Sequence, residues 1–307
     1  MKGKDFLTIS HLEPSEVEEI IMKAYRIKNG ETLDLLTGKT IALIFEKPSL
    51  RTRVSFEVGI KQMGGTCIFL SNQEIGLGVR EPESDVARVL DRLVDGIVAR
   101  VFSHRSLELL SENTSLPIIN ALSDKSHPCQ ALGDFLTIFE KKGSLGGLKV
   151  AFVGDGNNIA GSLAMACASV GSEFVIASPK KYRLPESVWT EANLISQRSK
   201  TKLWWTSDPF EAVDKADVVY TDVWTSMGNE SEEQERLKVF ADYQVNENLV
   251  STAKPEFLFM HDMPAHRGEE ISHNMLDHPN SVVYQQAENR LHAQKAVLAR
   301  LFESRQG

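Results

Sequence analysis

The sequence predicts an α/β protein of two domains, each a mostly parallel sheet flanked by helices. Short apolar runs of strand length alternate with amphipathic stretches of helical period, the signature of strand–helix–strand units. The length, 307 residues, suits two domains of roughly 100–200 residues each. The pattern also stops and restarts across residues Gly143 to Gly147, the best linker in the chain.

The elements follow in order. Ser15 to Ile27 comes after Pro14 and places Val17, Ile20, Ile21 and Ala24 on one face, which reads as a helix. Thr40 to Phe45 is a continuous apolar run, a buried strand. Arg51 to Met63 spaces Phe56, Ile60 and Met63 helically, and Gly64-Gly65 stops it. Cys67 to Leu70 is a second strand, followed by a polar loop from Ser71 to Glu83. Asp85 to Leu93 is helical, Gly96 to Val101 a strand, and Ile118-Ile119 a short strand. A long helix starts after His127-Pro128 and runs to about Lys141, since proline suits the first helical turn. Beyond the linker come strand Lys149 to Val153, a Gly/Asn turn, helix Ile159 to Val170 and strand Glu173 to Ala177. Asp217 to Thr221 and Phe257 to Met260 are further strands, and Ala287 to Phe302 is a helix. The expected domains are 1–142 and 148–286, with helix 287–307 packing back on the first.

Bulk properties narrow the function. The chain is 42% hydrophobic and 25% charged, as an ordinary globular enzyme is. A net charge of −8 argues against non-specific binding to nucleic acid or anionic membranes. Cys67, Cys129 and Cys167 are scattered, with no Cys-x-x-Cys pair and no histidines at zinc spacing. No metal is expected, and reduced thiols suit a cytoplasmic setting. Met1 to Ser10 lacks the apolar core of a signal peptide, and no apolar run approaches the roughly 18 residues of a membrane span.

The most concentrated chemistry is Ser49-Leu50-Arg51-Thr52-Arg53, between a buried strand and an amphipathic helix. A helix N-terminus offers free N–H groups and partial positive charge, the hydroxyls add donors, and Arg51 adds a fork suited to phosphate oxygens. The bland alternative is a Ser49 cap with two solvated arginines. Gly154-Asp155-Gly156-Asn157-Asn158 after a strand invites a dinucleotide reading. Its next glycine is Gly161, however, and no acid ends the following strand, so the spacing disfavours one.

With these motifs in view, the sequence resembles the aspartate/ornithine carbamoyltransferase family. Ser-x-Arg-Thr-Arg at 49–53 matches its carbamoyl-phosphate motif, and His127-Pro128-Cys129-Gln130 its His-Pro-x-Gln motif. Residues Asp222 to Gly228 match the Asp-x-Trp-x-Ser-Met-Gly motif of the ornithine branch. His261-Asp262-Met263-Pro264 stands where that branch has His-Cys-Leu-Pro, and Ala287-Glu288-Asn289-Arg290 matches its closing segment. The resemblance implies an active site in the cleft between the two domains and trimers, or multiples of trimers. It implies transfer of the carbamoyl group of carbamoyl phosphate to the side-chain amine of L-ornithine, giving L-citrulline and phosphate, with no cofactor.

It also implies roles for single residues. Phosphate falls to Ser49, the Leu50 backbone, Arg51 and Thr52, with Arg290 in the phosphate and carbonyl set. The carbonyl oxygen falls to Thr52, Arg100 and His127, and the carbamoyl amide to Gln130 and the turn at Asp262. Ornithine falls to Leu122, Asn158, Asp222, Ser226, Met227 and Met263, and Asp222, Asp262, Arg100 and His127 are the catalytic candidates. Taken singly, His127 also reads as a helix cap, Arg290 as a solvated charge, Asp222 as a turn cap and Arg53 as structural.

Two departures matter. Asp262 stands in place of the branch's cysteine, beside the reacting amine, so the expectation is a retained reaction with altered pH dependence. That residue also keeps open an amine acceptor such as putrescine or an acylated ornithine. In the loop Ser71 to Glu83, which in the family reaches a neighbouring subunit's site, Gly76 stands where relatives carry a polar contact. Gln73 and Arg80 are both candidates to replace it.

Overall fold

The structure, a computed structural model, describes residues 5–225 and 230–303. Two compact units divide the chain: Met1–Leu136 with Glu288–Gly307, and Thr137–Ala287.

The first unit contains helix α1 (Pro14–Lys28), strand β1 (Thr40–Phe45), α2 (Leu50–Gln62), β2 (Thr66–Ser71), α3 (Asn72–Ile75) and α4 (Glu83–Leu90). It continues with β3 (Gly96–Arg100), α5 (His104–Glu112), β4 (Ile118–Leu122) and the start of α6 (Pro128–Lys142). Ile41 to Phe45 and Gly96 to Arg100 are buried throughout, as unbroken apolar runs require when helices cover both sheet faces. The strands are parallel in the order β2-β1-β3-β4, so the winding reverses between β1 and β3. In such sheets ligands bind at the carboxyl ends of the strands where the order reverses. Phe45 and Arg100 are register partners at that edge. A slip between Ala99 and Arg100 then pairs Arg100 with Leu122.

The second unit holds β5 (Lys149–Val153), α7 (Asn158–Val170), β6 (Glu173–Ala177), α8 (Glu186–Ser199), β7 (Leu203–Thr206) and α9 (Pro209–Val213). After these come β8 (Val218–Thr221), α10 (Glu233–Val239), α11 (Glu247–Val250), β9 (Leu258–His261) and the first residues of α12 (Val283–Glu303). The strands are parallel in the order β7-β6-β5-β8-β9, and the winding reverses between β5 and β8. Helix α7 is buried from Ile159 to Val170, which explains its almost wholly apolar and small-residue sequence. An aromatic cluster packs within this unit: Phe240 lies against Tyr182 at 4.8 Å, Trp224 at 5.8 Å and Tyr243 at 5.9 Å.

The final helix begins at Val283, ahead of the expected Ala287. Gln285 and Gln286 break the apolar pattern there, yet Gln286 is fully buried because its amide has partners at both ends. Gln286 Nε2 donates to the Tyr220 hydroxyl at 3.0 Å, and its Oε1 accepts the His261 N–H at 3.0 Å. From residue 288 on, α12 packs within the first unit, where Lys28 donates to Asn289 at 2.7 Å and Arg300 pairs with Glu16. No helix among the described residues is long and apolar enough to cross a membrane.

Candidate active site

In the first unit, the sequence-expected anion site assembles at the β1/β3 edge. Ser49 caps α2, its hydroxyl accepting the Thr52 N–H at 3.4 Å. The Thr52 hydroxyl accepts a hydrogen bond from the fully buried guanidinium of Arg290. Arg100 ends β3 and is 5% exposed. His127 is buried beside both arginines, and burial, then the charges of Arg290 and Arg100, hold its pKa well below the usual value. The imidazole is therefore neutral at physiological pH, and so is a hydrogen-bond donor that carries no charge into the site. Buried guanidinium groups, a hydroxyl and a neutral imidazole grouped in this way suit an anionic ligand.

Gln130 sits one turn into α6, and its Nε2 donates to Asp134 Oδ1 at 2.8 Å. That bond fixes the amide, because only the NH₂ end can donate to a carboxylate. Its Oε1 is buried without a hydrogen-bond partner, an acceptor matched to a ligand N–H. Gly133 makes this packing possible: a Cβ there would lie 3.3 Å from the Arg290 backbone. The Leu122 carbonyl accepts the Val101 N–H at 2.9 Å. Arg53 points elsewhere: it is paired with Glu57 at 2.7 Å and stacked on Phe69 at 3.6 Å. A hollow of about 540 Å³ runs from Ser49 past Pro48, Arg53 and Phe69 to Asn72 and Gln73. Arg80 instead donates to the Glu74 carbonyl at 3.0 Å, inside its own loop.

In the second unit, the candidates gather where β5, β8 and β9 end. Asn157 caps α7, its Oδ1 accepting the N–H groups of Ile159 and Ala160 at 3.0 and 3.1 Å. Its Nδ2 donates to Asp222 Oδ2 at 2.7 Å. Asn158 follows as the first helical residue. Asp222 is buried, and its pKa is raised well above the usual value by desolvation first and by the Asp262 charge second. Hydrogen bonds from the Val223 N–H and Asn157 oppose that rise. Asp222, His261 and Asp262 each bring a ligand atom to within 4.8 Å of the others. Two carboxylates this close fit a cation, either a substrate ammonium or a metal ion. For a metal, His261 is poorly placed, since both ring nitrogens are engaged.

The turn after β9 is held by that histidine. The Met263 N–H donates to His261 Nδ1 at 2.9 Å, which leaves Nε2 as the donor to Glu270 Oε1 at 3.1 Å. Met263 has φ +63° and precedes a cis Met263–Pro264 bond. A side chain in the left-handed region costs about 1 kcal/mol or more, and the bond to His261 offsets it. The result presents Asp262 toward Asp222. Ser226 and Met227 lie outside the described residues.

Asn157, His261 and Glu270 hold Asp222 and the turn at Asp262 through hydrogen bonds, and none of the three was among the expected site residues. Asn157 was legible as an Asn directly before an apolar helical run, the ordinary N-cap signal. Glu270 gave no local signal, because its partner lies on another element.

Comparison with known proteins bears on both units. Two family models match: the carbamoyl-P binding domain of aspartate/ornithine carbamoyltransferase over residues 4–140, and the Asp/Orn binding domain over 146–301. The chain is 51% identical over 305 residues to an ornithine carbamoyltransferase of Anoxybacillus flavithermus, covering 98% of this chain and 97% of that one. It is 50% identical to the anabolic ornithine carbamoyltransferase of Pyrococcus furiosus, over 97% of this chain and 96% of that protein. A solved structure of the ornithine carbamoyltransferase from Pyrococcus furiosus superposes with a TM-score of 0.94 at 49% identity. The match covers 98% of this chain and 97% of the other.

Proposed function

Because the chain belongs to the aspartate/ornithine carbamoyltransferase family, we propose that it transfers the carbamoyl group of carbamoyl phosphate to the side-chain amine of L-ornithine. The products are L-citrulline and phosphate, a step of arginine biosynthesis. Residues 1–142 bind carbamoyl phosphate and residues 148–286 bind ornithine. The observation that carries the choice of acceptor is the carboxylate pair of buried Asp222 and half-buried Asp262, close together with no cation of the chain between them among the described residues. Such a pair attracts an ammonium and repels a second carboxylate, which favours ornithine over aspartate.

The chemistry follows from the groups present. Ser49, the Leu50 backbone, Arg51, Thr52 and Arg290 neutralise the phosphate. Thr52, Arg100 and neutral His127 polarise the carbonyl oxygen, and Gln130 Oε1 accepts from the carbamoyl NH₂. Leu122, Asn158, Asp222, Ser226, Met227 and Met263 hold ornithine. The amine nitrogen forms the C–N bond, the C–O bond to phosphate breaks, and its electron pair leaves on phosphate. The amine's proton passes to the carboxylate pair or to the departing phosphate. A carboxylate with a raised pKa is the better acceptor for that proton. Donors fixed in advance around the carbonyl oxygen supply most of the expected acceleration.

The assembly reading is a trimer, or a multiple of trimers. Its support is an exposed apolar stripe on α2, with Leu50 75%, Val54 47% and Val58 38% exposed, beside Ile68 on the edge strand β2. Helical spacing of four puts these α2 residues on one face. A cytoplasmic location agrees with three unbridged cysteines.

The test is citrulline-type product formation from carbamoyl phosphate with ornithine, putrescine, acetylornithine and aspartate in parallel. Product with ornithine alone supports the reading. Product mainly with putrescine or acetylornithine transfers the chemistry to another acceptor, and no product with any amine removes it.

A further inference from the structure

The second unit contains a buried ion pair that the transfer chemistry does not use. Arg236 on α10 is 6% exposed, and arginine is rarely buried unless its donors are matched. Its Nη1 donates to Asp155 Oδ2 at 2.8 Å and to the Trp224 carbonyl at 2.9 Å. Its Nε donates to Glu232 at 3.0 Å, and its guanidinium stacks over Tyr182 at 4.7 Å. Asp155 lies two residues before Asn157, and Trp224 two residues after Asp222. A single guanidinium nitrogen thus joins the turn after β5 to the end of β8. Those are the two segments whose own link is the Asn157–Asp222 hydrogen bond.

We propose that Arg236 is a positioning residue for the amine acceptor, setting the distance between the Asn157-Asn158 turn and Asp222 through the two hydrogen bonds that its Nη1 donates to Asp155 and the Trp224 carbonyl. This rests on the reading of Asn158 and Asp222 as ornithine contacts. Two facts argue for registration over simple stabilisation. The bonds converge on one nitrogen from segments far apart in sequence, and Asp155 is so buried that desolvation raises its pKa despite the cation beside it. A planar guanidinium holds such partners in fixed directions, where a flexible ammonium holds them by charge alone. Displacing a substrate-holding group by about 1 Å is worth up to a hundredfold in rate.

The test is steady-state kinetics of Arg236→Gln and Arg236→Lys, varying each substrate in turn. The expected result for Arg236→Gln is a KM for ornithine raised about tenfold or more, with the KM for carbamoyl phosphate within about twofold. Arg236→Lys retains the cation and falls between that variant and the native enzyme. A lowered kcat with both KM values unchanged reports only a smaller folded fraction and overturns the proposal, as does an equal rise in both. Should Arg236→Gln fail to fold, Arg236→Lys decides alone, and a native KM for ornithine in it overturns the proposal. The native enzyme with ornithine is the control: no turnover there sinks the proposed activity, a different outcome from a shifted KM in the variant.

Discussion

The carboxylate pair makes the site a source of instability until substrate arrives, and Asp262→Asn isolates that effect. Two unit charges within 4.8 Å of each other repel by about 3.5 kcal/mol or more at an effective dielectric near 20. Asp262 is half-exposed, so solvent screens part of this, and about 1–3 kcal/mol is the expected gain from removing its charge. The sign depends on pH. Asp222 has a folded-state pKa above its unfolded value, so its protonation favours the fold at low pH. That contribution is fully present below the unfolded value, about 3.9, and is lost as pH rises through the folded one. Asp262→Asn therefore raises the melting temperature at pH 8, by roughly 2–4 °C per kcal/mol for a unit of this size, and the gain shrinks toward zero near pH 4. Differential scanning calorimetry of both proteins at the two pH values measures it. A gain that is the same at both, or none at pH 8, refutes the repulsion argument. The same variant should bind ornithine more weakly, since the charge that destabilises the empty site attracts the ammonium.

Three further expectations test other parts of the site. His127→Ala removes a donor to the carbonyl oxygen, which costs about 10²–10³ in kcat; the native pH profile should show no limb from His127 between about pH 5 and 8. Gly156→Ala puts a Cβ 2.4 Å from the Arg183 carbonyl carbon and the Leu184 nitrogen, both backbone atoms. The turn has to shift, at about 1–3 kcal/mol in urea unfolding, and the KM for ornithine should rise with it. Glu270→Ala strips the acceptor from His261 Nε2 and the His266 N–H, costing about 2 kcal/mol in the same assay. It should also lower kcat, because the turn carrying Asp262 loses its anchor.

Much of this architecture was legible because the deciding forces are local. The run Thr40 to Phe45 had to be a buried strand, and Ser49 to Arg53 had to start a helix; the structure places them so within a residue. Strand β9 runs to His261, one residue beyond its expected end, because that residue pairs with Thr221 on β8. Helices α3, α5, α8, α9, α10 and α11 and strand β7 went unread. Strand β7 is Leu-Trp-Trp-Thr, half-buried on a sheet edge, where alternation is weak. Helix α8 carries few apolar residues, with Val188, Ala192, Ile195 and Ser196 buried.

The site divides in the same way. Ser49, Thr52, Asn158, Asp222 and Asp262 stand at strand ends or helix starts, where sequence shows them directly. Arg53 resisted assignment because its partners, Glu57 and Phe69, come from the helix face and a neighbouring strand. Arg236 and Glu270 resisted more strongly. Each reads locally as a solvated charge, and only folding brings Asp155 from 81 positions away, or closes the turn that gives Glu270 to His261.

The most direct test of the central claim follows the carbamoyl carbon itself. The purified protein is given carbamoyl phosphate labelled with ¹³C at the carbonyl, together with L-ornithine, and watched by carbon NMR. The label is expected in the ureido carbon of citrulline as phosphate is released in equal amount, and Asp222→Ala or Arg51→Ala is expected to abolish this. Label passing only to bicarbonate and other products of spontaneous breakdown, at the rate seen without protein, would contradict it.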